Sequence, residues 1–72
     1  MDIHVTTQRR YVAGDCWQEC RVRAMTDRGL AWLRAYTVLP VFDDDPCITI
    51  SADGVQEYIS DARGEGLEVV ES

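Results

Sequence analysis

Four side chains in this sequence have the chemistry to bind a transition metal: Cys16, Cys20, Cys47 and His4. Three thiolates and one imidazole make a zinc centre, and the Cys16–Cys20 separation is tolerable for one half of it. The other half fails, because Cys47 and His4 lie far apart in the chain and form no compact knuckle. Cys20 also falls in phase with Val22 and Ala24, the spacing of a residue packing inward from a strand. The thiols therefore read as small free hydrophobes, and neither metal nor cofactor is expected. Nucleophilic catalysis needs a thiol or hydroxyl with a base in hydrogen-bond reach. His4, the only histidine, sits between Ile3 and Val5 on an alternation that turns it to solvent. The chain has no Gly-x-Ser-x-Gly, no glycine-rich phosphate loop and no HExxH. An enzyme is not expected.

What remains is carboxylate chemistry. Asp43, Asp44 and Asp45 are consecutive, a pattern that sometimes holds a hard cation. They lack the spaced oxygen ligands and central glycine of a calcium loop, so they read as a solvated loop or a partner contact. The second cluster lies in SADGVQEYISDARGEG, residues 51–66, where Asp53, Glu57 and Asp61 recur every fourth position, with Glu65 next in phase. On a helix they form one stripe, opposite Val55, Tyr58, Ile59 and Ala62. Like charges at i,i+4 cost a few tenths of a kcal/mol per pair, and Asp61 near the C-terminus also opposes the helix dipole. The stripe is thus a small liability for folding. A solvated surface face is the bland account of it. The functional account is that four helical residues rise about 6 Å, a separation comparable to that of successive phosphates along a nucleic-acid strand. With Asp43–Asp45, Glu68 and Glu71, the row would suit a groove lined by Arg or Lys.

The charge distribution agrees with that reading. Of the net −6, residues 1–40 carry six Arg against Asp2, Asp15, Glu19 and Asp27, a balance of +2. Residues 41–72 carry nine acids against Arg63 alone, a balance of −8. Such a field repels nucleic acid and favours a basic protein surface. Direct DNA or RNA binding is not expected. All seven basic residues are Arg, and Lys and Asn are both absent, as in a coding sequence from a GC-rich genome. No apolar run approaches the roughly 18–20 residues of a membrane span, and MDIHVTTQRR lacks the basic-then-apolar layout of a secretion signal. A cytoplasmic protein without membrane attachment is expected.

The elements that must position these groups follow from periodicity. DIHVTT (2–7) alternates as a half-buried strand, and WQECRVRAM (17–25) sends Cys20, Val22 and Ala24 one way and Glu19, Arg21 and Arg23 the other. The Ala-Gly-Asp turn between them predicts a hairpin. Thr26 is placed to cap a helix over 27–36, which Gly29 weakens by roughly 1 kcal/mol relative to Ala. CITI (47–50) reads as a strand, Ser51 as the cap of a second helix over 52–63, and Gly64 and Gly66 as its left-handed terminator, with Leu67 packing back. LEVVE (67–71) closes as a strand. The order β-β-α-β-α-β predicts one compact α+β domain over 1–72, two helices on one face of a small, mostly antiparallel sheet. Leu30, Leu33, Val55, Ile59 and Val69 form its expected core.

In profile the chain resembles the small acidic anti-CRISPR and related counter-defence proteins encoded by phages and prophages. The likeness lies in one compact α+β domain, arginine-only basic residues, no catalytic set and a strongly acidic half, and no diagnostic motif carries a family residue over. It implies a non-enzymatic inhibitor in the host cytoplasm, docking on a basic surface of a nucleic-acid-binding defence complex, in some cases as a DNA mimic. The residues expected to make that contact are Asp43, Asp44, Asp45, Asp53, Glu57, Asp61 and Glu65. The alternative is a small assembly protein that homodimerises through an unpaired sheet edge.

Overall fold

A computed structural model describes residues 1–72. The chain runs β1 (Ile3–Val12), β2 (Asp15–Ala24), α1 (Asp27–Tyr36), β3 (Cys47–Ser51), α2 (Val55–Gly64) and β4 (Val69–Glu71). This is the expected α+β order. The four strands form one mixed sheet in the order β3-β2-β1-β4. β1 pairs antiparallel with β2 and β2 antiparallel with β3, whereas β4 joins β1 in parallel. β3 and β4 are therefore opposite edges, and α2 carries the chain across the sheet from one to the other.

Strand alternation builds the core. Ile3 and Val5 of β1, Cys20, Val22 and Ala24 of β2, Ile48 of β3 and Val69 of β4 all point to one face and are buried. The helices close that face with Leu33, Val55, Ile59 and Ala62, and Leu67 adds to the cluster. Of the expected core, Leu33, Val55, Ile59 and Val69 are buried, and Leu30 packs against the cluster from its rim. The opposite face of the sheet carries His4, Thr6, Arg21, Arg23 and Thr49 and has no covering layer, a common arrangement for a largely antiparallel sheet. His4 lies on that face as its alternation requires, with Nε2 2.7 Å from Ser72 Oγ.

The hairpin departs from expectation in length. Its strands run to Val12 and from Asp15, joined by a two-residue turn in which Ala13 (φ 51°) and Gly14 (φ 85°) both take left-handed conformations. Those angles match the type I′ turn whose twist suits a hairpin. β4 pairs only with Ile3–Val5 and β3 only with Glu19–Arg23. Beyond Gln8 and Glu19 the hairpin continues as a two-stranded arm, which helps give the molecule its 39 Å long axis. Arm residues face no core, so QRRYV lacks the apolar alternation by which a strand is read.

Thr26 caps α1 as expected: the Gly29 N–H donates to its Oγ1 at 3.0 Å. The second helix is capped differently. Ser51 ends β3, and its carbonyl accepts the Gly54 N–H in a tight turn over 52–54, so Gly54 is the N-cap and α2 starts at Val55. At the far end Gly64 is still helical, and only Gly66 (φ 81°) is left-handed. The Leu67 N–H donates to Ala62 O and the Gly66 N–H to Arg63 O, the double bond pattern of a Schellman stop, and Leu67 is buried beneath it.

Gly29 is a packing requirement, not merely a weak helix former. A Cβ built there would lie 2.2 Å from the carbonyl oxygen of Asp2. Main chain cannot swing aside as a side-chain end can, so α1 must lift off β1. Gly29→Ala gains about 1 kcal/mol of helix propensity but should lose more to the clash, for a net destabilisation of about 1–3 kcal/mol. A thermal melt checks this: the midpoint should fall by at least about 4 °C, and a rise would mean that α1 does not sit this close.

Candidate functional site

The seven acids fall in three structural settings: the α2 helix, the turn before it and the 37–46 connection. Glu57 and Asp61 stand one turn apart on the exposed side of α2, whose other side buries Val55, Ile59 and Ala62. Glu65 follows as the helix C-cap, exposed. Asp53 is outside the helix, because the turn that begins at Ser51 delays helix entry to Val55. It lines an open cleft of about 560 Å³ with Arg9, Cys16, Trp17, Gln18, Ser51 and Ala52, at the root of the hairpin arm. The helical row is thus Glu57, Asp61 and Glu65, with Asp53 offset toward the sheet.

Asp43 and Asp45 are engaged within the molecule. Asp43 accepts from the Arg34 guanidinium of α1, which also donates to Val41 O at 3.3 Å. Asp45 pairs with Arg23 of β2 at 3.0 Å. These bonds strap the 37–46 connection to α1 and to the sheet, so two of the three loop carboxylates have a structural use. Asp44 is exposed, with no bond from its side chain. The other ion pairs join the N-terminal ammonium to Glu68, Arg10 to Glu19 and Arg63 to Glu71. None of the five includes Asp53, Glu57, Asp61 or Glu65. On this flank the Arg28 guanidinium donates to the Glu65 carbonyl at 3.2 Å, but none of the four carboxylates makes an ion pair within the fold.

Beside the row lies a feature that carboxylate spacing does not reveal. Trp32 and Tyr36 of α1 stack with ring centroids 4.8 Å apart, and Tyr58 of α2 meets Tyr36 edge-on, also at 4.8 Å. The Tyr36 hydroxyl donates to Asp61 Oδ2, and the Tyr58 hydroxyl donates to Thr37 Oγ1 at 3.0 Å. The aromatic group ties the two helices together, and Trp32, Ala35, Tyr36 and Glu65 line a shallow depression at its edge. The i,i+4 spacing of Trp32 and Tyr36 signals a shared flank. Their meeting with Asp61 depends on the packing of α1 on α2, which spacing within one helix does not contain. Chemically the flank offers carboxylates next to aromatic faces, the pair of features that guanidinium groups favour. No grouping of three or more His, Cys, Asp or Glu side chains is arranged to hold a metal ion, and Cys16, Cys20 and Cys47 are free thiols.

The hydrogen bond to Asp61 leaves a measurable signature on Tyr36. That bond, with burial and the nearby charges of Asp61 and Glu57, pushes the phenol from its ordinary 10.0 up to about 12. The folded state therefore keeps a proton that the unfolded chain releases near pH 10. The stabilising contribution is fully present below pH 10 and is lost as pH rises towards 12. In an ultraviolet titration one of the three tyrosines should ionise well above the ordinary range. Asp61→Asn should bring that group back toward 10, and an unchanged titration would show that the helices do not meet through this pair.

Comparison with protein-family models, with curated proteins and with solved structures finds no match for this chain, so its activity has to be read from geometry and charge.

Proposed function

We propose that this protein is a non-enzymatic inhibitor that docks the acidic flank of α2 onto a basic, nucleic-acid-binding surface of a host defence complex, such as a CRISPR-type effector. One observation supports the reading above others. The carboxylates of Asp53, Glu57, Asp61 and Glu65 make no ion pair, while arginines elsewhere in the fold engage Glu19, Asp43, Asp45 and Glu71. An acidic helix face whose only role was solubility would lose nothing by acquiring internal arginines. A face that must meet a partner's Arg or Lys keeps its carboxylates out of internal ion pairs, as here, where Asp61 is engaged only by the neutral Tyr36 hydroxyl. Glu57 and Asp61 form the helical centre of the contact, Glu65 extends it toward the depression beside Trp32 and Tyr36, and Asp53 flanks it from the turn. Asp44 is the loop residue left to contribute, since Asp43 and Asp45 are already paired. Imitation of a phosphate row accounts for competition with nucleic acid without any contact to nucleic acid by this chain.

The test avoids Asp61, whose carboxylate also holds Tyr36. Asp53→Asn, Glu57→Gln and Glu65→Gln together remove three charges whose side chains make no internal bond. The melting temperature should stay within a degree or two of the parent. Inhibition of target-DNA binding by a purified CRISPR-type effector complex should weaken at least tenfold at low salt, chiefly through slower association. The parent's inhibition should itself fall as salt rises. A triple variant that inhibits as well as the parent at both low and physiological salt would refute this assignment.

A further inference from the structure

We infer that the depression lined by Trp32, Ala35, Tyr36 and Glu65 is a seat for one arginine side chain of the partner, selective for guanidinium over the lysine ammonium. This rests on the docking of the α2 flank proposed above and names the chemical group that the flank receives. Spacing along α1 builds the recess. Trp32, Ala35 and Tyr36 stand at i, i+3 and i+4, so they share one side of the helix, and the C-cap residue of α2, Glu65, completes the lining. Ala35 is exposed and ends at its Cβ, which leaves room beside its larger neighbours. The space is about 300 Å³ and opens to solvent, ample for a guanidinium and its stem.

The rings are fixed before any partner arrives. Trp32 and Tyr36 stack with only 15° between their planes, and Tyr58 stands edge-on to both, at 6.4 and 4.8 Å. The Tyr36 hydroxyl donates to Asp61 and the Tyr58 hydroxyl to Thr37, so neither ring turns without breaking a bond. Seating a ligand here therefore orders little that is not already ordered. The ring faces carry the negative part of the aromatic quadrupole and attract a cation. Asp61 and Glu57 lie close enough that their charges help to hold the Tyr36 phenol in its protonated form, so the negative field reaches the ring. Arg28, one turn before Trp32, does not cancel it. Its Nη2 donates to the Glu65 carbonyl at 3.2 Å, as a cation suits a helix C-terminus, and leaves the Glu65 carboxylate out of any ion pair. Glu57, Asp61 and Glu65 against Arg28 keep the recess negative.

Charge alone does not separate arginine from lysine; the juxtaposition of ring and carboxylate does. An ammonium is a compact, strongly hydrated point charge that any carboxylate of the row satisfies. A guanidinium is flat and weakly hydrated, and it lies on an aromatic face while its edge donates a forked pair of bonds to a carboxylate. The recess supplies both halves of that recognition, aromatic faces from α1 and an uncommitted carboxylate from α2.

Titration of the labelled protein with blocked hexaarginine and hexalysine, peptides of equal charge, tests the assignment at low salt by NMR. Hexaarginine should bind at least about threefold more tightly than hexalysine. It should shift the Trp32 indole N–H and the Tyr36 ring, while the Trp17 indole, which donates to Glu19, stays in place. Ala35→Leu fills the recess at an exposed helical position and changes neither charge nor ring. Its melt should stay within a degree or two of the parent, its hexalysine affinity should be unchanged, and its preference for arginine should vanish. Equal affinity of the parent for the two peptides would overturn the proposal. So would bound hexaarginine that leaves Trp32 and Tyr36 unmoved, or an Ala35→Leu variant that keeps the preference. The two readings fail separately. Peptides that shift Glu57, Asp61 and Glu65 without preferring arginine sink the recess and spare the flank. Arginine selectivity in a protein that does not inhibit the effector complex supports the recess and sinks the proposed function.

Discussion

The fold depends on one junction at Asp2. Its carboxylate accepts the Thr26 hydroxyl at 2.7 Å and the Glu68 N–H at 3.0 Å. Its carbonyl accepts the Met25 N–H, and its own N–H donates to Glu68 O. Thr26 in turn accepts the Gly29 N–H, and Gly29 lies against the Asp2 backbone with no room for a side chain. One residue thus joins the start of β1, the end of β2, the first turn of α1 and the entry to β4. The bonds from Glu68 and Thr26 hold its carboxyl below the usual carboxylate range. With twelve buried apolar residues, burial alone leaves a domain of this size marginal, and a junction that ties both termini to the sheet matters in proportion.

From this junction follows the distribution of charge. Fixing α1 against β1 sets where its C-terminal half meets α2, and so brings Tyr36 to Asp61 and Tyr58 to Thr37. It also sets where the 37–46 connection runs, within reach of Arg34 and Arg23, which take up Asp43 and Asp45. The loop that is densest in acid along the chain is therefore the more neutralised in space. The sparser row on α2 keeps its charge. The carboxylates without an internal ion pair accordingly lie more on the helix than in the loop, with the Trp32–Tyr36 pair alongside them.

Local physics made much of this legible in the sequence. Alternation at Cys20, Val22 and Ala24 placed β2 and its inward face, Thr26 marked the start of α1, and Gly66 with Leu67 marked the stop of α2. The core positions Leu33, Val55, Ile59 and Val69 follow from period alone. What escaped was set by pairing across the chain. The arm from Gln8 to Val12 is a strand because β2 lies beside it, not because a core selects its residues. Asp53 fell out of the helical row through a backbone turn closed by Gly54 and Ser51, whose residue types also suit a helix cap. The ion pairs of Asp43 and Asp45 cross from one element to another, and Gly29 looks like a helix weakness until Asp2 is seen beside it.

The negative charge free of internal arginines lies chiefly on α2, with Asp44 alone left unpaired in the Asp43–Asp45 loop. Titration of isotopically labelled protein with a short oligoarginine peptide at low salt, followed by amide and side-chain carboxyl NMR shifts, tests it without knowledge of the partner. The largest shifts are expected at Glu57, Asp61 and Glu65, smaller ones at Asp53 and Asp44, and little change at Asp43 and Asp45 while their arginines hold them. Shifts largest at Asp43 and Asp45, or spread evenly over all thirteen acids, would contradict it.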